Sequence, residues 1–337
     1  MSGRVAGLDV LRGIAILLVM LRHAVPGVFQ GAGVVGVVVF FALSGYLITG
    51  VLQRDLAERG RVRFGRFYLR RAARLLPALL VLVAVFAAVT LLLDPIGDRD
   101  RLPATTAVLL TFTANLPIAD ISPAAFHAWT LATEEQFYLL WPAVLAIAWP
   151  RRGTAAALAL SAFLAVAACA ATLVWLWPHL DNAYALPTSW WVCFVIGAAA
   201  RLHGNADRVP RWMVPVALAG LAVLAVIPLR GHALTYLVAG PAIAALTAVL
   251  LLRWSSWQST ANPATRTLAA LGVLSYGAYL WNYPLTLWLR PHLDGWAGPV
   301  AAALTIAAAV VSWRYVEEPV MRRQSRGQRR TLDRQPR

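Results

Sequence analysis

A chain of 337 residues that is 60% hydrophobic and only 13% charged has a composition that no soluble domain of ordinary shape tolerates, and it implies an all-α, polytopic membrane protein. Its formal charge of +15 comes from arginine without a single lysine, and the arginines fall in short segments between apolar runs rather than on one soluble face, which argues against nucleic acid as a partner. Two cysteines inside apolar runs, Cys169 and Cys193, and six histidines without ligand spacing leave no disulfide framework and no expected metal.

Stretches of about twenty apolar residues, enough to cross a bilayer, fall at 8–26, 34–52, 75–93, 129–149, 154–177, 187–203, 212–229, 233–252, 267–289 and 297–316. With both termini cytoplasmic, these ten spans put 23 arginines inside and four outside, Arg99, Arg101, Arg230 and Arg290. That asymmetry is what the positive-inside rule requires. The first run lacks a small-residue cleavage site after it and reads as a membrane helix rather than a signal peptide. An eleventh span at PATTAVLLTFTANLP, residues 103–117, would put most later arginines outside, so this segment is expected to be a re-entrant or surface part of an outer loop. Residues 1–319 form one membrane domain, and the Arg/Gln-rich segment 320–337 is expected to be a disordered cytoplasmic tail.

In LRGIAILLVMLRH, residues 11–23, Arg12 and His23 lie nearly on one helical face, about 16 Å apart along the axis. A cation near the cytoplasm and an imidazole near the outer surface suit a site along the first span, since imidazole is the side chain best suited to take a hydroxyl proton near neutral pH. The alternative for Arg12, with Asp9 three residues earlier, and for Arg22 is interfacial snorkelling. Ser44 in FFALSGYLIT has no nucleophile frame around it and belongs to helix packing or the wall of a polar pocket. In RVRFGRFYLRRAARLLP, residues 61–77, Arg63, Arg66, Arg70, Arg71 and Arg74 share one arc, the pattern of an interfacial amphipathic helix. Those guanidiniums either meet anionic lipid or, above all Arg71 and Arg74, grip the phosphates of a cytoplasmic ligand. HAWTLATEEQFYLLWP, residues 127–142, opens the fourth span from the outer side, which brings Glu134 and Glu135 to about the depth of His23. Adjacent carboxylates in an apolar run require a cavity or a partner, and with 100° between neighbours at most one faces His23; the other reading is a structural pair with an arginine.

Six segments, GLDVLRGIAILLVMLRHA, GVVVFFALSGYLITGVL, FYLRRAARLLPA, WTLATEEQFYLLWP, SYGAYLWNYPL and SWRYVEEPVMRR, run in order from residue 7 to residue 323 and together resemble the acyltransferase family 3 membrane proteins. These are bacterial enzymes that esterify sugar hydroxyls on envelope glycans and some macrolides. The resemblance implies ten helices, a cytoplasmic acyl-CoA donor, and functional Arg-x10-His and RxxR motifs, which fall here on Arg12 with His23 and on Arg71 with Arg74. The family's aromatic WH-x-P motif stands here as Trp281, Asn282, Tyr283 and Pro284, so a proton shuttle is not expected at Asn282, which can at most hydrogen-bond. The chain also ends soon after the tenth span, without the appended hydrolase-like domain of some members, and no function needing two catalytic domains is expected.

The resulting expectation is a multi-pass inner-membrane O-acyltransferase. Arg12, Arg71 and Arg74 bind acyl-CoA, acetyl-CoA by default, and His23 is the general base, oriented by Glu134 or Glu135, in direct transfer to a saccharide hydroxyl or through an acyl-histidine. The acyl-CoA is a co-substrate, no bound cofactor is expected, and no obligatory protein partner is inferred. A second reading is a transporter of acyl groups or small solutes along the same polar path; a third is a chain that has lost activity.

Overall fold

The computed structural model describes residues 5–323, and over that range it is all-helical, without a strand. Twelve α-helices follow one another: α1 (Ala6–Ala24), α2 (Ala32–Arg59), α3 (Phe64–Leu92), α4 (Leu102–Thr111), α5 (Trp129–Ala148), α6 (Thr154–Leu176), α7 (Trp191–His203), α8 (Met213–Val226), α9 (Gly240–Trp254), α10 (Pro263–Val273), α11 (Ser275–Leu293) and α12 (Ala297–Ser312). Five helical stretches, Ala32–Arg59, Phe64–Leu92, Thr154–Leu176, Thr235–Trp254 and Ser275–Arg323, are long and apolar enough to cross a membrane. This is the architecture of a membrane protein. Helices α1 and α5 have 19 and 20 residues, but Asp9, Arg12, Arg22 and His23 in one and Glu134, Glu135 and Gln136 in the other make them the more polar members of the bundle.

Three sequence expectations change. Residues 61–77 are not a separate interfacial helix: from Phe64 they continue into the third span as one helix of 29 residues with Pro77 inside it. Its arginines therefore do not act as one arc. Arg66 and Arg70 sit in the field of Asp55, Arg59 and Arg63, while Arg71 and Arg74 turn into the bundle. The apolar stretch 267–289 is broken at Leu274 into α10 and α11. Asn262 caps α10 by accepting from the Thr265 amide, with Pro263 in the first turn, and its 11 residues reach only about 16 Å, too short to cross. The proposed tail begins in helix, which runs on to residue 323; the rest of it and the first four residues, on which the cytoplasmic placement of the termini bears, lie outside the described residues. Residues 103–117 hold α4, whose ten residues end at Phe112 with φ 54°, so this segment does not cross as a helix.

Helix α1 lies in the middle, packed on α2 and α10 and touching α9, α11 and α12. Two backbone approaches hold it and its neighbour. A Cβ built at Gly13 would overlap the carbonyl of Leu268, and one at Gly272 the carbonyl of Asp9, so α1 and α10 meet backbone to backbone. Helices α2 and α7 meet the same way, Gly45 against the Phe194 carbonyl and Gly197 against that of Ala42. Small residues that admit such contact are the usual glue where lipid removes the hydrophobic drive between helices. Aromatic stacking fills the space among α2, α5 and α7: Phe194 stacks on Phe41 at 4.5 Å and on Phe137 at 4.6 Å between ring centroids. Replacing Gly272 with Val forces α10 off α1, and overpacking of this kind costs about 1–3 kcal/mol. The expected outcome is a lower melting temperature of the purified variant in detergent, whereas Gly65→Ala, where nothing lies within 4 Å, leaves it unchanged or raises it.

Candidate active site

The first turns of α3 carry Arg71 and Arg74 to the wall of a cavity of about 140 Å³, which Arg12 of α1, Ser44 of α2, Glu134 and Tyr138 of α5, and Tyr276 and Tyr279 of α11 also line. Two of the three arginines are paired. Arg12 donates to Asp9 at 2.9 Å, one turn earlier on α1. Arg71 donates to Glu135 at 2.6 Å and lies over the Tyr138 ring, 3.4 Å from its centroid, so charge, hydrogen bond and ring face hold one planar guanidinium. Glu134 accepts from Ser44 Oγ at 3.1 Å and from the Tyr138 hydroxyl at 3.3 Å. Arg74 has neither an ion pair nor a hydrogen bond among the described residues. It is exposed, and it opens onto the cavity within the field of Arg12 and Arg71. The carboxylates Glu134 and Glu317 are also within its electrostatic reach, and a guanidinium without an ion-pair partner has donors free for an anion.

His23 stands at the other end of α1. Its Nδ1 is 2.6 Å from Asn282 Oδ1, and the next contacts settle which atom holds the proton. Thr305 Oγ donates to the Ala301 carbonyl at 2.6 Å and accepts from Asn282 Nδ2 at 3.2 Å. The Asn282 amide therefore presents its oxygen to the ring, Nδ1 is the donor, and Nε2 keeps its lone pair. The His23 ring also meets Tyr283 at 5.0 Å between centroids. Among the described residues neither Glu134 nor Glu135 hydrogen-bonds His23, where the sequence had expected one of them to orient it. Residue 282, where the sequence left only a hydrogen-bonding role, supplies its partner, while Glu134 lines the arginine cavity and Glu135 pairs with Arg71.

The cavity and His23 are joined along one face of α11. Ser275, Tyr276, Tyr279, Asn282 and Tyr283 follow at helical spacing; the first three line the cavity and the last two contact His23. His127, which the sequence reading passed over, lies between, its ring 5.6 Å from that of Tyr279 and 5.5 Å from that of Tyr283. Its carbonyl accepts from the Tyr279 hydroxyl at 3.0 Å and from Thr130 at 3.1 Å. The spacing of tyrosines in SYGAYLWNYPL was the available sequence signal, and it points inward only once the bundle is assembled. Among the described residues no group of three His, Cys, Asp or Glu side chains stands where it could hold a metal ion. The arrangement offers anion binding at one end and a proton acceptor at the other.

Comparison with known proteins adds the family. A profile described as an acyltransferase domain matches residues 5–315. The peptidoglycan O-acetyltransferase OatA of Listeria monocytogenes is 24% identical over 372 aligned positions, covering 94% of this chain and 56% of that protein. A putative O-acetyltransferase of Staphylococcus aureus strain COL is 36% identical over 149, covering 42% of this chain and 24% of the relative, and the O-acetyltransferase OatA of Staphylococcus aureus strain NCTC 8325 is 35% identical over 147, covering 41% and 24%. The matches thus span from about half to about a quarter of the length of these relatives. No solved structure matches the chain. With nearly its whole length matched by the acyltransferase domain, this chain belongs to the acyltransferase family of membrane proteins.

Proposed function

We propose that the protein is a multi-pass O-acyltransferase of the inner membrane that moves an acyl group, acetyl by default, from cytoplasmic acyl-CoA to a saccharide hydroxyl. One observation carries this reading: the unpaired Arg74 faces the same cavity as Arg12, and Arg12 shares a helix with His23, whose Nε2 is left free to accept a proton by the bond to Asn282. Phosphates of the donor sit on Arg74, Arg71 and Arg12, and the pantetheine arm runs beside α1 over the rise of about 16 Å that separates Arg12 from His23. The crossing helices are α1, α2, α3, α5 to α9, α11 and α12, which keeps ten spans and both termini cytoplasmic while α4 and α10 remain short. An envelope glycan is the favoured acceptor class, because a relative aligned over 94% of this chain is named for acetylating peptidoglycan; glycolipids and glycosylated natural products such as macrolides are the other saccharide classes.

In the transfer step the acceptor hydroxyl gives its proton to His23 Nε2 as its oxygen adds to the thioester carbonyl. The carbon–sulfur bond then breaks, and the departing thiolate takes the proton back from His23, leaving an ester and free CoA. Asn282 is the positioning residue that keeps Nδ1 protonated throughout.

The reading is tested by mass spectrometry of glycolipids, envelope polysaccharide and secreted metabolites from cells carrying wild type or His23→Ala at matched membrane levels. Loss of one acyl mass in the variant is the expected result; identical profiles would overturn the catalytic assignment, and acyl-CoA consumption only in the presence of an acceptor separates the enzyme from a transporter. Asn282→Ala should lower kcat by about 10²-fold or more, as for loss of a correctly held general base, with an unchanged KM for acyl-CoA. Arg74→Gln should instead raise that KM by about tenfold or more, the scale of a lost charge-assisted hydrogen bond, and Arg71→Gln should do the same. Wild-type donor dependence in both arginine variants would sink the phosphate assignment.

A further inference from the structure

Beyond Tyr283, α11 runs on to a second hollow that the donor and His23 do not use. An open depression of about 420 Å³, it is lined by Ile96, Gly97, Asp98, Asp100 and Arg101 of the loop before α4, by Pro123, and by Leu287, Arg290 and Pro291 near the end of α11. The size lies within the range of small-molecule sites, about 300–1,000 Å³. Its place follows from helix geometry. Leu287 is one turn past Tyr283 and Arg290 two turns, so their backbone positions lie about 6 Å and 10 Å farther along α11 than that of Tyr283, on the side away from the arginine cavity. Arg290 also lies within electrostatic reach of His23.

The chemistry of the walls selects a class of ligand. Asp98 is 4% exposed, and its Oδ2 is buried without a hydrogen-bond partner among the described residues. A carboxylate oxygen buried without a partner is costly, and Asp98 is among the residues that line the hollow. Asp100 and Arg290 are exposed, and Arg101 is engaged with Asp120 at 3.0 Å, with guanidinium N–H groups to spare. Two carboxylates and two guanidiniums leave the hollow without a net charge. A phosphate would meet Asp98 and Asp100, and a cation would meet Arg101 and Arg290. Neutral hydroxyls, which both donate and accept, satisfy all four, while Ile96, Pro123, Leu287 and Pro291 offer apolar surface to the C–H face of a sugar ring.

We propose that this hollow seats the saccharide acceptor, with Asp98 and Arg290 as its specificity-determining residues and one hydroxyl reaching inward past Tyr283 to His23. The proposal rests on the acyltransferase reading above and assigns the side of the molecule from which the acceptor enters: opposite the donor, so that the two substrates meet at His23 from the two ends of the α11 stripe.

The test uses membranes holding wild type, His23→Ala, Asp98→Asn or Arg290→Gln at matched levels. They are given radiolabelled acetyl-CoA and a dilution series of the saccharide fraction extracted from cells that lack the protein. Arg290 is exposed, so its variant is not expected to disturb folding, and equal melting temperatures check both hollow variants. The expected result is that both need about tenfold more of the saccharide fraction for half-maximal labelling, approach the wild-type rate at saturation, and keep the wild-type dependence on acetyl-CoA. A merely structural role would lower the rate at every acceptor concentration or alter donor dependence, and that outcome overturns the assignment. So does wild-type acceptor dependence in both variants, and in that case the enzyme reading still stands. If labelling by wild type does not exceed that by His23→Ala, the acyltransferase reading itself fails and the acceptor seat falls with it.

Discussion

Backbone contact between α1 and α10, made where Gly13 and Gly272 bring each helix onto a carbonyl of the other, sets where Arg12 and His23 stand. Helix α1 is unusual in this bundle because both ends of the site hang from it, so a small displacement moves Arg12 and His23 together. The short α10, capped at Asn262 and finished at Leu274, packs on the first half of α1. On the far side Gly298 of α12 approaches the backbone of Ala24, next to His23, and closes the other end. Positioning to within a fraction of an ångström is what proximity catalysis needs, and backbone-to-backbone contact is stiffer than contact between side chains.

With α1 fixed, the polar groups inside the bundle sort themselves by pairing. A charge in low dielectric must find an opposite charge, a hydrogen-bond partner or water. Arg71 takes Glu135 and the face of Tyr138, and Arg12 takes Asp9. Glu134 takes two hydroxyls. What this sorting leaves over is informative: Arg74 in the cavity, and Asp98 with one buried oxygen unbonded in the outer hollow. Arg74 opens onto the arginine cavity and Asp98 lines the outer hollow.

Helix α11 connects these places because of its own irregularities. Pro284 has no N–H to give the carbonyl of Leu280, four residues earlier. That carbonyl faces His127, whose ring nitrogens make no well-aligned hydrogen bond. The tyrosines at 276, 279 and 283 share the side chain direction that an α-helix gives to residues three and four apart, so the lining from cavity to His23 is a row of rings and hydroxyls rather than aliphatic surface. Such a row carries few full charges, which suits the passage of a largely neutral arm between a cationic end and an imidazole.

The amino-acid sequence alone determined the membrane character, the helical class and the identity of the charged residues, because these follow from the local balance of apolar and polar groups along twenty-residue windows. The family resemblance was legible in the same local segments. Tertiary structure decided the pairings. Glu134 and Glu135 were within reach of His23 by depth alone, and nothing local distinguishes a carboxylate that meets Ser44 and Arg71 from one that meets an imidazole across the bundle. Asn282 reads as a lost histidine in its own segment and becomes the partner of His23 only when α1, α11 and α12 come together, since Thr305 fixes which end of its amide faces the ring. The break at Leu274 was hidden for the same reason: its residues are apolar enough to continue a helix, and it is the packing of Gly272 on Asp9, 263 positions away in the chain, that accompanies the stop.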